Sequence, residues 1–255
     1  MNYKNYAFIW DIDGVIADSP HEESWRKVAE SPEWGLQGLT SDFYLKYVAS
    51  KPRYEGAHNI LEKLGGYEKF NAKTEEQKDE ILKRYAEQKN NLIKDLIEKG
   101  QFGVFESSVI FLLNAKEKNI LCAAASASKN ANSMLTKINA YKIAEKHNLK
   151  YSFLKEKDYV YDLFDVNVCG VTVENGKAGL FKLAFEKLKE KNPDVKIPVV
   201  FEDGLTGIEA AKSNNYFAVA IVRIGKKEDF EKVNADIIVD DLSQLKVEDI
   251  IEKIK

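Results

Sequence analysis

Cysteine is scarce: the 255 residues hold Cys122 and Cys169 alone, both inside apolar runs and without CxxC spacing. This favours buried free thiols in a reducing compartment over a disulfide framework, and a metal role for them is not indicated. A surplus of one charge is missing too. The formal net charge of -3 offers no basic footprint for a nucleic-acid backbone and no attraction to an anionic membrane, so an anionic substrate must be held by local charges. Long apolar runs are absent. Met1 to Asn5 are mostly polar and the apolar stretch after them stops at Asp11, too short for a signal segment or a membrane span, which makes the cytoplasm the expected location. No GxxxxGK[ST] or GxGxxG loop occurs, so nucleotide-dependent chemistry is not indicated. His21-Glu22-Glu23-Ser24-Trp25 starts like a zinc-protease HExxH but ends in Trp, so the second ligand is lacking. Internal repeats and low-complexity tracts are also absent.

What is present is an ordinary globular composition, on a chain long enough to bury about three quarters of its unfolded surface. Tyr6-Ala7-Phe8-Ile9-Trp10 is a short, continuously apolar, aromatic-rich run, the pattern of a strand buried on both faces. Similar runs recur at 197–201, 217–222 and 235–239, with further strands expected at 119–125 and 165–169. Strands alternating with helical stretches imply βαβ crossovers, hence an α/β fold with a Rossmann-like parallel sheet and helices on both faces.

From about Asp18 to Gly100 the texture changes to charged stretches with helical spacing, such as Thr74 to Lys99, and no convincing strand. The division expected is an α/β core of residues 1–17 plus 101–255 and a small all-helical domain of residues 18–100 inserted after the first strand. The crossings near Asp18 and near Gly100 to Gly103 are then natural hinges. Thr136 to Tyr161 is Lys-rich, aromatic and mostly helical in pattern, without an assigned function.

Four motifs carry chemistry. Asp11-Ile12-Asp13-Gly14 directly follows the first strand, and ligand sites in open parallel sheets lie beyond the carboxyl ends of the strands. A calcium loop is ruled out because Val15 and Ile16 stand where an EF-hand needs an oxygen ligand and a glycine. Two solvated turn aspartates remain the alternative. Glu202-Asp203-Gly204 follows another buried strand. Adjacent carboxylates repel unless a cation or hydrogen bonds offset them, so with Asp11 and a backbone carbonyl they suit Mg²⁺; alone they also read as a solvated turn. Ala125-Ser126-Ala127-Ser128-Lys129-Asn130 ends a strand with hydroxyls, amides and a lysine, a phosphate nest or else an N-capping serine. Lys177, in Asn175-Gly176-Lys177, opens a helix ending near Lys189; taken singly it is a solvated charge, and its interest comes from its order between the other motifs.

In this order and at these strand ends the motifs resemble the haloacid dehalogenase superfamily, over nearly the whole chain, and the helical insertion resembles the cap of its β-phosphoglucomutase-like branch. In that superfamily dehalogenases lack an aspartate at the second acidic position and phosphonate hydrolases have a small residue there, whereas Asp13 matches phosphatases and phosphomutases. The resemblance implies Asp11 as nucleophile and Asp13 as general acid and base. It also implies Ser126 and Lys177 around the transferring phosphoryl group. Mg²⁺ would lie on Asp11, the backbone carbonyl of Asp13, Glu202 and Asp203. His21, Trp25, Arg53 and Lys89 resemble cap residues of β-phosphoglucomutases, in which an arginine grips the non-reacting phosphate and the histidine and lysine couple cap closure to chemistry; each also reads as an ordinary helix-surface side chain. Ser128, Lys129 and Asn130 resemble that branch as well. There are departures. The segment from Asp18 to His21 is about two residues shorter than the mutase pattern, and Ala178-Gly179-Leu180 replaces a proline-rich stretch, making Lys182 a rival to Lys177.

The activity so implied is Mg²⁺-dependent phosphoryl transfer through an aspartyl-phosphate on a phosphosugar, by a monomer with no nucleic-acid or membrane partner. A phosphosugar mutase is the leading reading, which Arg53 favours because a mutase holds a second phosphate. A sugar-phosphate phosphatase, with water as acceptor, is the close alternative, and a non-catalytic phospholigand sensor the remote one.

Overall fold

The computed structural model describes residues 3–49 and 51–255; Met1 and Asn2 of the expected core, and Ser50 of the expected insertion, lie outside them. The elements run in chain order as follows. They begin with strands β1 (Tyr6–Trp10) and β2 (Ala17–Asp18), then helices α1 (His21–Ala29), α2 (Ser41–Tyr47), α3 (Arg53–Lys63), α4 (Gly66–Lys69) and α5 (Glu75–Glu98). Strand β3 (Gly103–Val104) leads to α6 (Glu106–Glu117), β4 (Leu121–Ala124), α7 (Ala131–Leu135), α8 (Ala140–Lys146) and β5 (Val166–Asn167). The last third holds α9 (Gly176–Lys191), β6 (Ile197–Glu202), α10 (Leu205–Ser213), β7 (Phe217–Ile221), α11 (Lys227–Lys232), β8 (Ile237–Val239) and α12 (Val247–Ile254). The chain divides into two compact units, Met1–Ser19 with Gly103–Lys255, and Pro20–Phe102.

The first unit is built on a six-stranded sheet in the order β5-β4-β1-β6-β7-β8, every pair parallel. Strand β1 lies inside the sheet, paired on its two edges with β4 and β6, and all five of its residues are buried, which is why its sequence shows no alternation. Ala7 and Ile9 join a core with Leu180, Phe181 and Ala184 of α9 and Ile208 and Ala211 of α10. Phe8 and Trp10 point the other way into an aromatic cluster. There Trp10 stacks on Phe201 at 4.1 Å between ring centroids, and Phe111 of α6 meets the Trp10 ring edge-on at 6.1 Å. Register pairs Trp10 with Ala124 on one side and with Phe201 on the other, so the residues after β1, β4 and β6 emerge at one sheet edge. The chain fills one half of the sheet from β1 through β4 and β5, and the other through β6, β7 and β8. That reversal marks a crevice at the carboxyl ends beside β1.

The second unit is helical among its described residues. Helix α5 starts at Thr74, whose hydroxyl accepts from the Gln77 amide while the Gln77 side chain accepts from the Thr74 amide, closing a capping box. Its buried side chains Ile81, Tyr85, Ala86, Lys89, Ile93, Leu96 and Ile97 recur at helical spacing, and Ile81, Tyr85 and Ala86 share a core with Trp25, Val28 and Ala29 of α1 and Ala57, Ile60 and Leu61 of α3. Lys89 is the exception on this apolar stripe, a charged residue only 3% exposed.

Two expectations about local structure need correction. Strands β4, β5 and β8 are shorter than the apolar runs that announced them, because the ladder ends where the chain turns toward the sheet edge. The 136–161 stretch is not mostly helical: it carries α8 of seven residues, a few turns and the start of a short 3₁₀ turn at Val160. Asn139 caps α8 by accepting from the Lys142 amide at 2.8 Å, and Asn148 at φ 55° turns the chain away just after it. Polar bonds then fasten the excursion to α6, Lys146 and His147 each reaching Glu106 at 2.8 Å and Tyr151 reaching Asn114 at 2.8 Å.

Candidate active site

After β1 the chain makes one tight turn, in which the amides of Ile16 and Ala17 both donate to the Ile12 carbonyl at 2.9 Å. This turn lifts Asp13 beside Asp11 at the sheet edge. Gly14 is required within it. Its φ is +76°, and a Cβ there would lie 1.9 Å from Oδ2 of Asp203, so any side chain would displace that carboxylate. The chain then leaves the unit after Ser19 and returns at Gly103, with β2 and β3 pairing antiparallel.

Asp11 is 3% exposed and Glu202 fully buried. One oxygen from each of Asp11, Glu202 and Asp203 lies within 4.8 Å of the others. Lys177 is the counter-charge. Its amino group donates to Asp11 Oδ2 at 2.7 Å and to both Glu202 oxygens at 2.7 and 2.8 Å. Burial alone would lower its pKa, but the charges of Asp11 and Glu202 overcome that and hold it above its ordinary value. Lys182 is exposed on the same helix, whereas Lys177 reaches the carboxylates.

One lysine cannot neutralise this many acids. Burial, reinforced by the charge of Asp11, pushes Asp203 up to about 7. Burial also raises Glu202 well above the carboxylate range against the pull of Lys177. Asp13 is pushed up to about 6, chiefly by burial, with Asp11 adding to the shift while the hydroxyls of Ser19 and Ser128, as hydrogen-bond donors, pull it down. Oδ1 of Asp11 and Oδ1 of Asp13 are buried without a hydrogen-bond partner among the described residues. Orphaned carboxylate oxygens beside an uncompensated acidic cluster are what a hard, oxygen-seeking cation relieves, so the donor set fits Mg²⁺. Gly207 supports it from α10, since a Cβ there would lie 2.1 Å from Cδ of Glu202.

Ser126 follows β4 and is 2% exposed. Its hydroxyl accepts from the Ser128 amide at 3.3 Å, and the Ser128 hydroxyl accepts from the Asn130 amide at 3.3 Å. Gly170 donates to the Ser126 carbonyl at 2.8 Å and ties this turn to the end of β5. Helix α7 beyond it has only five residues, so little of the expected help comes from a helix dipole. Lys129 is exposed and Asn130 half-buried. The thiols of Cys122 and Cys169 are free, and burial pushes both up to about 12, which leaves them inert.

The second unit gathers the other expected residues. Lys89 Nζ lies 2.6 Å from Nδ1 of His21 and 4.8 Å from the centre of the Trp25 ring, which stacks on Tyr85. Burial first, then the charges of Lys89 and Arg53, pull His21 down to about 3, so it is a neutral acceptor. Trp25 is 4% exposed and belongs to the core of this unit, where it backs Lys89. Arg53 is exposed at the start of α3. Two residues went unnoticed in the sequence. Ser19 has only a hydroxyl four residues before Glu23 to mark it, and Arg223 has no local signal at all.

An acidic centre at the switch point of a doubly wound parallel sheet places the protein among the α/β enzymes that assemble catalytic groups on strand ends. Residues 7–215 match the haloacid dehalogenase-like hydrolase family, and the chain belongs to that family. Over 211 residues it is 28% identical to a phosphorylated carbohydrates phosphatase of Thermotoga maritima, covering 81% of this chain and 80% of that protein. Among solved structures it is similar to a β-phosphoglucomutase of Pyrococcus sp. strain ST 04, with a TM-score of 0.81, 36% identity and 98% of each chain covered. A β-phosphoglucomutase of Clostridium difficile aligns with a TM-score of 0.64 and 29% identity over 97% of this chain and 96% of that one. No helix among the described residues is long and apolar enough to cross a membrane.

Proposed function

We propose that this protein is a Mg²⁺-dependent phosphosugar mutase of the β-phosphoglucomutase type, working through an aspartyl-phosphate on Asp11. The observation that carries the reading is the first unit's constellation, a buried carboxylate held by Lys177 beside a second, Asp13, whose pKa of about 6 lets it carry a proton near neutrality. The carboxylate of Asp11 attacks phosphorus as the bond to the sugar oxygen breaks, and Asp13 delivers its proton to that oxygen. In the return step Asp13 takes the proton of the incoming hydroxyl. Ser126, Ser128 and Lys177 balance charge on the phosphoryl oxygens. Asp11, the Asp13 carbonyl, Glu202 and Asp203 would hold Mg²⁺, which supplies charge neutralisation for the transferring group. In this reading Arg53 binds the non-reacting phosphate, and the neutral His21, fixed by Lys89, orients the chemistry of the bound sugar.

The likeness to the Pyrococcus mutase over nearly the whole of both chains favours isomerisation. The second reading, a sugar-phosphate phosphatase, is favoured by the Thermotoga phosphatase and differs only in that water accepts the phosphoryl group. Incubation with Mg²⁺, β-glucose 1-phosphate and a trace of the 1,6-bisphosphate separates them. The proposal expects glucose 6-phosphate with little inorganic phosphate; stoichiometric phosphate without isomerised sugar establishes the phosphatase instead.

A further inference from the structure

Arg223 lies two residues beyond β7, and its side chain is 15% exposed. Its Nε donates to the carbonyl of Gly14 at 3.0 Å. Its Nη1 donates to the Asp240 carbonyl at 3.1 Å and to Oδ2 of Asp241 at 3.2 Å, both just past β8. The guanidinium lies over the ring of Phe105, 3.7 Å from its centre. Phe105 in turn donates its amide to the Ile16 carbonyl at 3.0 Å, and Ser107 donates to the Arg223-bound oxygen of Asp241 at 2.7 Å. One side chain thus joins the turn after β1, the segment after β3 and the ends of β7 and β8. Nη2 is buried without a hydrogen-bond partner among the described residues, a cost incurred to keep the plane on Phe105 and Nε on Gly14.

The point of attachment matters. Gly14 has no Cβ to restrict its rotation, its φ is +76°, and Asp203 occupies the space beside it. Its amide is tied to the Ala17 carbonyl at 2.8 Å and its carbonyl to Arg223, so both of its peptide groups are pinned. The first of these is the Asp13–Gly14 peptide, whose carbonyl belongs to the proposed cation set. We infer that Arg223 is a positioning residue that locks the Asp13–Gly14 turn in the geometry that presents Asp13 to substrate and its carbonyl, with Asp203, to the cation; the inference rests on the function proposed above. Lysine has one point charge where arginine has a planar fork, so it can reach Gly14 or Asp241 but cannot span both while stacking on Phe105.

The test is calorimetric titration of Mg²⁺ into the metal-stripped full-length protein without substrate, for wild type, Arg223→Gln and Arg223→Lys. Thermal unfolding and steady-state kinetics on a phosphosugar accompany it. Loss of a hydrogen bond from a charged donor corresponds to a roughly ten- to hundred-fold change, so Arg223→Gln is expected to weaken Mg²⁺ binding and lower kcat by that order with KM little moved. Arg223→Lys is expected to recover part of both, and it carries the test alone where Arg223→Gln does not fold. Wild-type Mg²⁺ affinity and kcat in the folded variants, whatever their unfolding temperature, would overturn the positioning role. Failure of the wild type itself to bind Mg²⁺ would overturn the functional reading and this inference with it.

Discussion

Replacing Lys177 with methionine removes the shared counter-charge of Asp11 and Glu202 while keeping most of the apolar stem. In the structure the lysine amino group holds three carboxylate oxygens at 2.7 to 2.8 Å, on side chains that are 5% and 0% exposed. Breaking a buried pair from one side typically costs about 3–5 kcal/mol, because the remaining charge is left without a partner. For a domain of 150–250 residues 1 kcal/mol moves the unfolding temperature by about 2–4 °C, so Lys177→Met should unfold roughly 6–20 °C below wild type in EDTA at neutral pH. The gap should narrow toward acid pH, where Glu202 escapes by taking a proton, its pKa being raised already. Mg²⁺ should narrow it too. Turnover of a phosphosugar should fall at least 10²-fold, the usual loss when a preorganised charge leaves a transition state. Lys182→Met, at an exposed position of the same helix, is the control and should match wild type. If Lys177→Met unfolded with wild type and kept its turnover while Lys182→Met lost it, the electrostatic account of this centre would be refuted.

Three further outcomes follow from the same geometry. Gly207→Ala, which on helix propensity should gain about 1 kcal/mol, should instead destabilise by about 1–3 kcal/mol, because its Cβ would lie 2.1 Å from Cδ of Glu202; denaturant unfolding of the metal-free protein gives the sign. Asp203 is raised from 3.8 to about 7 in the metal-free fold, so its contribution is most favourable below the unfolded value and is lost as pH climbs between the two. Asp203→Asn should therefore match wild type in stability near pH 4 and exceed it increasingly up to pH 7 in EDTA, by about 1.4 kcal/mol per pH unit at most; a constant difference would contradict this. His21 should stay neutral to about pH 3 in an NMR titration of its ring protons, and Lys89→Met should move its midpoint up toward the ordinary value; a wild-type midpoint near 6.5 would remove the Lys89–His21 pairing from the account.

The parallel sheet was legible because its strands are covered on both faces. Tyr6 to Trp10 must be apolar throughout when Ala7 and Ile9 face one helical layer and Phe8 and Trp10 an aromatic cluster on the other side. Asp11, Asp13, Ser126, Glu202 and Asp203 were legible for a related reason, since polar residues directly after such runs stand at the sheet edge where ligands bind. Lys177 could be singled out only by its order among the motifs; its contacts with Asp11 and Glu202 span 166 and 25 residues of sequence. Arg223 was invisible, because its partners Gly14, Phe105 and Asp241 come together only through tertiary folding. The 136–161 stretch misled because lysines spaced among apolar residues imitate an amphipathic helix. Its chain is ended by Asn148 in a left-handed turn and held instead by bonds to Glu106 and Asn114.

The covalent role of Asp11 is tested most directly by rapid mixing with Mg²⁺ and phosphorus-labelled β-glucose 1,6-bisphosphate, acid quench and peptide mapping by mass spectrometry. The account predicts one phosphoryl group on Asp11 that survives a cold acid quench and is released by base or hydroxylamine, in the peptide containing Tyr6-Ala7-Phe8-Ile9-Trp10-Asp11, and none in Asp11→Asn. Label on another residue, or turnover by wild type and Asp11→Asn alike with no label trapped in either, would contradict it.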